Sequence, residues 1–188
     1  MINKIFPLGN FKREEKGTKM DFTKAEDIKP ESKQLFVCRG ISGSGKSTLI
    51  EKLSKAFLDS GITFVKCSAD DFFFDKEGNY NFDVSQLGRA HKYSQRKAKE
   101  AMETNVSVVI VDNTNLKYWE MKPYVEVAKE QKYDVKVLQV HTNIETVLER
   151  QVTGKNVPRE TVLKMQHKFE NSDLPKEIVN STIYIKGE

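Results

Sequence analysis

The segment RGISGSGKSTL, residues 39–49, constrains the fold of this chain more than any other stretch. It fits the pattern G-x-x-x-x-G-K-[S/T] through Gly40, Gly45, Lys46 and Ser47. Glycines let a backbone turn tightly, so several N–H groups and the positive end of a helix dipole can converge on one anion. An apolar run precedes the segment and a helical pattern follows it. The segment therefore predicts a strand, a phosphate-binding loop and a helix in succession.

We expect this loop, called the P-loop below (residues 40–48), to bind a nucleoside triphosphate, ATP or GTP. Lys46 is predicted to reach the β- and γ-phosphates, and the Ser47 hydroxyl is predicted to ligate Mg²⁺. The alternative is a Gly/Ser-rich turn that only begins a helix, which the full pattern in this context disfavours. The predicted phosphate-binding residues are Gly40, Ser42, Gly43, Ser44, Gly45, Lys46, Ser47 and Thr48.

Apolar, strand-like runs alternate with helical lengths from residue 34 onward, and 83–104 reads as one long helix. Thr142 and Glu145 have the spacing of a capping box at the start of a later helix. Such alternation predicts an α/β fold, a P-loop NTPase-type parallel sheet of about five strands with helices on both faces. Ligands of such sheets bind beyond the carboxyl ends of the strands. The predicted strands are LFVCR, TFVKCS, VSVVIVD, DVKVLQV and STIYIK.

Composition indicates one folded domain, residues 34–188, after a flexible leader, residues 1–33. The chain has 188 residues, of which 38% are hydrophobic and 31% are charged. It contains no apolar run of roughly 20 residues and no secretory signal pattern, so we expect a cytoplasmic or nuclear protein without a membrane partner. Cys38 and Cys67 lie in separate strand-like runs, which favours buried thiols over a disulfide. A net charge of +4 mildly favours an anionic partner.

Acidic residues follow two of the predicted strands. Asp70 and Asp71 come after the second strand, where one carboxylate could accept the proton of an attacking hydroxyl. The alternative is that both carboxylates cap turns. Asp112 ends the third strand, the usual place of an aspartate near Mg²⁺ in P-loop enzymes. Asn115 is a candidate for orienting a substrate, or else a turn residue.

These motifs together resemble those of the P-loop polynucleotide 5′-hydroxyl kinase family, in particular the kinase-like domains of the Nedd-four-binding proteins. The resemblance runs from about residue 35 to about residue 169. It depends more on the motifs SADDFFF and IVDNTNLKYWEMKPYV than on the P-loop alone. The motifs are RGISGSGKSTL, SADDFFF, NYNFD with a following AH, IVDNTNLKYWEMKPYV and ERQVTGKNVPRETVLKM.

The resemblance implies that Asp70 is the general base for a 5′-hydroxyl and that Arg150 is a lid arginine clamping the donor phosphates. It also implies that the metal-associated acid is Asp112, although some family members carry this acid at the position of Asn113. Two departures affect the acceptor. An arginine three residues after the base is replaced here by Phe73, and in place of a second lid arginine the lid offers only Lys155.

Several side chains are candidates for holding an acceptor. We expect Phe73 or Tyr80 to present a ring on which an unpaired base could stack, although core packing is the alternative for each ring. Arg89 begins a basic face on the long helix, which could follow a phosphate backbone or be an ordinary solvated face. Asp71 is a further candidate acceptor contact. Trp119 is predicted to pack within a helix interface.

The function that these features favour is Mg²⁺-dependent transfer of the γ-phosphate of ATP to a 5′-hydroxyl of RNA or DNA. A small-molecule or nucleoside kinase would use the same apparatus, so it is the first alternative. A nucleotide-binding interaction module with little turnover is the second, and the missing acceptor arginine favours it. The expected partners are a nucleoside triphosphate and a nucleic-acid 5′ end; the sequence predicts no particular protein partner.

Overall fold

A computed structural model describes residues 33–153 and 156–187 of the chain. The predicted leader therefore lies outside the described residues except for Lys33, and the lid residue Lys155 also lies outside them. The strands are β1 Gln34–Arg39, β2 Phe64–Cys67, β3 Val108–Val111, β4 Asp134–His141 and β5 Thr182–Lys186. The helices are α1 Lys46–Asp59, α2 Leu87–Glu103, α3 Tyr118–Glu130, α4 Ile144–Thr153, α5 Arg159–Glu170 and α6 Lys176–Asn180.

The five strands form one parallel sheet in the order β2-β3-β1-β4-β5. Val37 of β1 is paired with Val111 of β3 on one side and with Val137 of β4 on the other. Cys67 of β2 is also level with Val111. The predicted fold class is confirmed. Because β2 and β3 end level with Val37 and β1 runs only two residues further, to Arg39, the residues that follow these three strands share one edge of the sheet.

Alternate residues of β1 pack against helices on opposite faces of the sheet. Leu35 and Val37 belong to a buried cluster that includes residues of α2, α3 and α6. Phe36 and Cys38 belong to a second cluster formed with α1. Alternation of side chains along a strand puts neighbouring residues on opposite faces. The sheet is therefore covered on both sides, and only its edges and strand ends are open to ligands.

Two local predictions differ from the structure. The long helix predicted from residue 83 begins as a 3₁₀ turn at Val84–Gln86, with α2 starting at Leu87, because the Asp83 side chain accepts a hydrogen bond from the N–H of Ser85. At the start of α4, the predicted cap was wrong. The Asn143 side chain accepts from the N–H of Glu145 at 2.8 Å, so the capping oxygen belongs to Asn143.

The described part of the chain holds no helix that combines the length and the apolar character needed to cross a bilayer.

Candidate active site

Three glycines give the P-loop its curvature. Gly40, Gly43 and Gly45 all have positive φ angles, of 154°, 84° and 96°. Gly43 is the most constrained, because a Cβ atom placed there would collide with the Gln151 side chain and come within 3.3 Å of Val147 Cγ1. Only a residue without a side chain fits this backbone conformation and this space. The loop therefore wraps closely under α4.

Lys46 is buried, and its ammonium group lies inside the loop. Its Nζ donates hydrogen bonds to the carbonyl oxygens of Gly40 at 2.9 Å and Ile41 at 2.7 Å. These contacts place a positive charge at the centre of the loop. A phosphate entering the loop would meet a cation whose position is already restricted, which lowers the entropic cost of binding.

The loop fits an anion in two further respects. The Ser44 hydroxyl oxygen is buried and has no hydrogen-bond partner within the described residues. Helix α1 begins at Lys46 with no side-chain cap and no acidic residue in its first turn, so its terminal N–H groups and dipole remain suited to a negative charge. The side chains of Ser47 and Thr48 are exposed at this end of the helix. These features fit the phosphates of a nucleotide.

Ser47 and Asp112 line the same groove, which runs along α1 and has a volume of about 510 Å³. Asp112 directly follows β3, and its N–H donates to the Cys67 carbonyl at 2.9 Å. Burial raises the pKa of the Cys38 thiol well above its usual value; the negative charge of Asp112 adds to this rise and the positive charge of Lys46 opposes it. Both charges therefore lie near the end of β1. A hydroxyl and a carboxylate at one phosphate-facing end are suitable ligands for Mg²⁺.

Asn113 points away from this groove. Its side-chain oxygen accepts from the N–H of Ala69 at 2.9 Å, and its Nδ2 donates to the Ser94 hydroxyl at 3.3 Å and the Tyr124 hydroxyl at 3.2 Å. It is buried among β2, α2 and α3. Between the two alternatives for the metal-associated acid, the geometry favours Asp112, while Asn113 fixes the backbone next to Asp70.

Asn115 does not reach the crevice, which corrects its assignment as a substrate contact. It is 2% exposed, has a positive φ of 45°, and its Nδ2 donates to the Cys38 carbonyl at 2.7 Å. The preceding residue contributes in the same way, because the Thr114 carbonyl accepts from the N–H of Gly40 at 2.9 Å. The segment after β3 therefore makes a turn that holds the start of the P-loop.

Asp70 and Asp71 begin a 3₁₀ turn, Asp70–Phe73, directly beyond β2. The Asp70 carboxylate accepts a hydrogen bond from the Tyr80 hydroxyl at 3.3 Å. The Asp71 carboxylate instead pairs with the ammonium of Lys97 on α2 at 3.0 Å. The two neighbouring carboxylates thus have different environments, and the Asp71 ion pair indicates a structural role in holding the turn against α2.

The Ser68 hydroxyl connects Asp70 with the end of β3. It accepts from the N–H of Asp70 at 3.2 Å and donates to the Asp112 carbonyl at 3.0 Å. Because β2 lies two strands from β1, Asp70 is displaced sideways from the P-loop by about 10 Å, two inter-strand spacings. In the crevice beyond the strand ends, Asp112 therefore lies between Asp70 and the P-loop along this edge of the sheet.

The expectation that Phe73 presents its ring to this crevice was wrong. Phe73 is 4% exposed and packs with Ala69 and Ala90. Its burial anchors the segment of residues 73–82, which we call the aromatic hairpin. The exposed rings of this hairpin are those of Phe74, Tyr80 and Phe82.

Helix α4 contacts the P-loop through two polar side chains. Arg150 donates from NH1 to the Gly43 carbonyl at 3.2 Å, which places the predicted lid arginine beside the loop. Gln151 is buried; its Nε2 donates to the Ser42 carbonyl at 3.3 Å and its Oε1 accepts from the N–H of Val157 at 3.2 Å. Sequence reasoning missed Gln151, although its position directly after Arg150 could have suggested it.

The basic residues of α2 make two different kinds of contact. Arg96 forms an ion pair with Glu100 at 3.6 Å, as expected of a solvated helix face. Arg89 is different, because its guanidinium lies 5.5 Å from the ring centre of Phe72, beside the turn that carries Asp70. The prediction for Trp119 was wrong, since this side chain is 71% exposed on α3.

Arg39, the residue before the P-loop, was also missed. It is buried, contacts the side chains of Gln139 and Ser172, and donates from NH2 to the Leu116 and Phe169 carbonyls at 3.0 and 3.1 Å. Burial lowers its pKa to about 10. A charged residue at the end of an otherwise apolar strand was the feature of the sequence that could have indicated this role. Arg39 ties the β1 end to the residues that follow α5.

Comparison with known proteins agrees with this geometry. A family model described as an AAA domain matches residues 35–172. The chain belongs to this family. The AAA domain includes all the strands except β5, together with the P-loop and the turn that carries Asp70.

A human relative of this AAA domain is NEDD4-binding protein 2, which is 46% identical over 101 residues. The match covers 54% of this chain but 5% of that much longer protein. This match agrees with the resemblance of the sequence motifs to those of the Nedd-four-binding proteins. It leaves most of NEDD4-binding protein 2 without a counterpart in this chain.

Three solved structures share the fold. A chain of the Pnkp1/Rnl/Hen1 RNA repair complex superposes with a TM-score of 0.59 at 19% identity, covering 78% of this chain and 47% of that one. Kti12 of Chaetomium thermophilum, solved with ADP-AlF3, gives 0.58 at 16% identity, covering 81% and 88%. APS kinase CysC of Mycobacterium tuberculosis, solved with AMPPNP and APS, gives 0.54 at 14% identity, covering 82% and 88%. The AAA domain therefore shares the fold of these three proteins.

Proposed function

We propose that this protein is a Mg²⁺-dependent kinase that transfers the γ-phosphate of ATP, or of GTP, to the 5′-hydroxyl of a nucleic acid. The observation that carries the proposal is the chain of contacts from Asp70 through Ser68 to Asp112, which shares a groove with Ser47 of the P-loop. This chain of contacts supports a carboxylate and a phosphate-binding loop working in one crevice. The resemblance of the sequence motifs to those of the polynucleotide 5′-hydroxyl kinase family supports the same assignment.

On the donor side, the P-loop amides and Lys46 bind the triphosphate. Arg150, which already contacts the Gly43 carbonyl, is close enough to the loop to turn toward the γ-phosphate. A guanidinium in this position stabilises the charge that develops on the transferring group, a contribution of about 10³-fold or more in rate. Ser47 and Asp112 would hold Mg²⁺, which neutralises phosphate charge when bound.

On the acceptor side, Asp70 takes the proton of the 5′-hydroxyl. The hydroxyl oxygen forms a bond to the γ-phosphorus, and the bond from that phosphorus to the bridging oxygen breaks, leaving its electron pair on the nucleoside diphosphate. The proton then passes from Asp70 to solvent. The Asp70 carboxylate already accepts a hydrogen bond from the Tyr80 hydroxyl. A carboxylate has several acceptor positions, so Asp70 can also accept a hydrogen bond from the 5′-hydroxyl of the acceptor.

The alternative of a nucleotide-binding interaction module has one specific observation in its favour. Where related kinases carry an arginine for the acceptor phosphate, this chain has Phe73, which is buried in the core. An acceptor would therefore need another cation, and Arg89 beside Phe72 is the candidate. A small-molecule or nucleoside kinase would not need that cation.

A labelled-phosphate transfer assay tests the proposal. We expect the full chain to label a 5′-hydroxyl oligonucleotide from γ-labelled ATP, with free nucleosides competing weakly. Asp70→Asn should abolish transfer and leave ATP binding unchanged, whereas Glu130→Gln, which changes an exposed carboxylate at the end of α3, should retain transfer. Efficient labelling of nucleosides in preference to oligonucleotides would favour the small-molecule alternative. Equal transfer by Asp70→Asn and the parent protein would exclude Asp70 as the base.

A further inference from the structure

The aromatic hairpin exposes three rings next to Asp70. Phe74 is 52% exposed, Tyr80 is 47% exposed and Phe82 is 54% exposed. Leaving this much aromatic surface in water is unfavourable by about 25 cal/mol for each Å². Three such rings on one short hairpin form a contiguous apolar patch, and patches of this kind mark binding sites more often than single exposed residues do.

The hairpin is held by its own hydrogen bonds. The Asp75 carboxylate accepts from the N–H groups of Glu77 at 3.0 Å and Asn79 at 2.8 Å, and from the side-chain amides of Asn79 and Asn81, both at 3.1 Å. The N–H of Asn81 donates to the Phe73 carbonyl at 2.8 Å. The rings are therefore displayed on an ordered support, which reduces the entropy lost when a ligand binds.

The rings also fix one another. Buried Phe73 contacts Phe82 and Tyr80, with ring centres 5.0 and 6.0 Å apart. The rings of Tyr80 and Phe82 are nearly parallel, with an angle of 18° and centres 6.4 Å apart, and Phe74 lies against Tyr80 at 5.1 Å. The exposed rings therefore form one cluster that is anchored on a core residue.

Tyr80 links this surface to the proposed base. Its hydroxyl donates to the Asp70 carboxylate while its ring belongs to the exposed set. Burial and the neighbouring charge of Asp70 both raise the pKa of Tyr80. A nucleotide stacked on the rings would thus have its sugar within a short reach of Asp70.

We propose that the aromatic hairpin binds the unpaired bases at the 5′ end of a single-stranded nucleic acid by stacking on Tyr80, Phe82 and Phe74. The stacking itself does not require transfer, but the delivery of the 5′-hydroxyl to Asp70 rests on the function proposed above. Aromatic rings hold bases of any sequence, because every base has a π face. The substrate class is therefore an unpaired 5′ end with little sequence preference.

The exposed area favours this occupant over a protein partner. Three aromatic side chains, each about half exposed, offer roughly 300 Å² in total, whereas a stable protein interface needs about 800 Å² from each partner. Two stacked bases need no more than the hairpin offers. Arg89 stands over Phe72, which contacts Phe73 with ring centres 5.5 Å apart, so a cation borders the rings where a phosphate would follow the bases.

Binding of a 12-nucleotide single strand with a 5′-hydroxyl and a 3′ fluorophore, followed by fluorescence anisotropy, tests the proposal. Phe82→Leu keeps an apolar side chain on Phe73 but removes the π face, and we expect it to weaken binding about tenfold. Trp119→Leu is the matched control, since it removes an even more exposed aromatic ring outside the hairpin, and it should bind like the parent protein. Equal losses in both variants, or no loss in Phe82→Leu, would overturn the proposal.

A change in the nucleic acid gives a test that does not depend on how the variant folds. Replacing the two 5′-terminal bases with abasic sites should weaken binding to the parent protein about tenfold and have little further effect on Phe82→Leu. A blunt duplex should bind more weakly than the single strand. Equal binding of intact and abasic strands, or preference for the duplex, would also overturn the proposal. Equal binding of the two strands is the result expected if the hairpin instead binds a protein.

The two proposals fail in different ways. If stacking occurs without phosphoryl transfer, Phe82→Leu weakens anisotropy binding although no label is transferred, and only the kinase assignment is lost. If transfer occurs without stacking, the label is transferred equally by Phe82→Leu and the parent protein, and only the hairpin assignment is lost.

Discussion

The side-chain oxygen of Asn113 accepts a hydrogen bond at 2.9 Å from the backbone N–H of Ala69, the residue that precedes Asp70. This bond joins the ends of β2 and β3 at the point where the proposed base begins its turn. Asn113 is buried and also donates to Ser94 and Tyr124. The position of Asp70 therefore depends on a buried amide whose hydrogen bonds are made to Ala69, Ser94 and Tyr124.

Asn113→Ala should lower both stability and turnover. It leaves the buried N–H of Ala69 without its acceptor, which costs about 1–3 kcal/mol in the free energy of unfolding. Displacement of Asp70 should lower kcat by about 10²-fold with little change in the KM for ATP. Urea unfolding and steady-state transfer measure the two effects. The control is Tyr124→Phe, which removes one hydroxyl but keeps the bond to Ala69; a similar fall in kcat for both variants would contradict the positioning role.

Lys46→Met should remove the cation from the P-loop. Its ammonium is held by the Gly40 and Ile41 carbonyls. Loss of one positioned donor to a transferring phosphate costs about 10² to 10³-fold in kcat. We expect this loss together with weaker ATP binding by calorimetry. Lys122→Met, a change on the exposed face of α3, is the control. Unchanged nucleotide affinity and turnover would contradict the predicted role of Lys46.

Gly43→Ala should destabilise the P-loop far more than Gly61→Ala. Both glycines have positive φ, 84° and 68°, so alanine carries a similar backbone penalty of about 1–2 kcal/mol at each. A Cβ at Gly43 would also crowd Gln151 and Val147, whereas a Cβ at Gly61 meets nothing within 4 Å. Thermal unfolding and ATP binding measure the difference. Equal effects of the two substitutions would show that crowding by α4 is unimportant.

The aromatic hairpin should lose stability in acid. Hydrogen bonds from Asn79, Asn81 and Glu77 lower the pKa of Asp75 below its usual value of 3.8. Because the folded state binds this proton less tightly than the unfolded state, the contribution of Asp75 is present above pH 3.8 and is lost as the pH falls through the lower folded value. Asp75→Asn should flatten this part of the stability profile, as followed by urea unfolding at several pH values.

The control for this pH dependence is Asp173→Asn, which changes an exposed carboxylate between α5 and α6. It should leave the profile of the parent protein unaltered. An NMR titration of Asp75 gives a direct reading, and a midpoint at or above 3.8 would contradict the prediction.

Local patterns were sufficient for the fold and for the donor side of the site. The G-x-x-x-x-G-K-S pattern predicted a strand, a loop and a helix, and β1, the P-loop and α1 follow in that order. The apolar runs predicted about five strands, and the described residues form five in one parallel sheet. Glycine conformation and the alternation of side chains act within a few residues, so they can be read from adjacent letters.

The acceptor side was predicted less well. Phe73 and Asn115 were assigned to the crevice, and both are buried. In a run of three phenylalanines, the sequence carries no signal for which ring enters the core. The choice is made by Ala69 and Ala90, the second of which lies 17 residues further along the chain, because their small side chains leave the space that Phe73 fills.

The amino-acid sequence by itself determined that this chain forms a parallel α/β sheet with a phosphate-binding loop at a strand end. Backbone conformation and the periodic alternation of polar and apolar residues are properties of short segments, so both can be predicted from the sequence. Only the tertiary structure decided that Asp112 rather than Asn113 faces the groove with Ser47, and that Tyr80 and Phe82 rather than Phe73 are displayed beside Asp70. Those choices depend on hydrogen bonds and packing between residues on different strands and helices, whose proximity exists only after the sheet has formed.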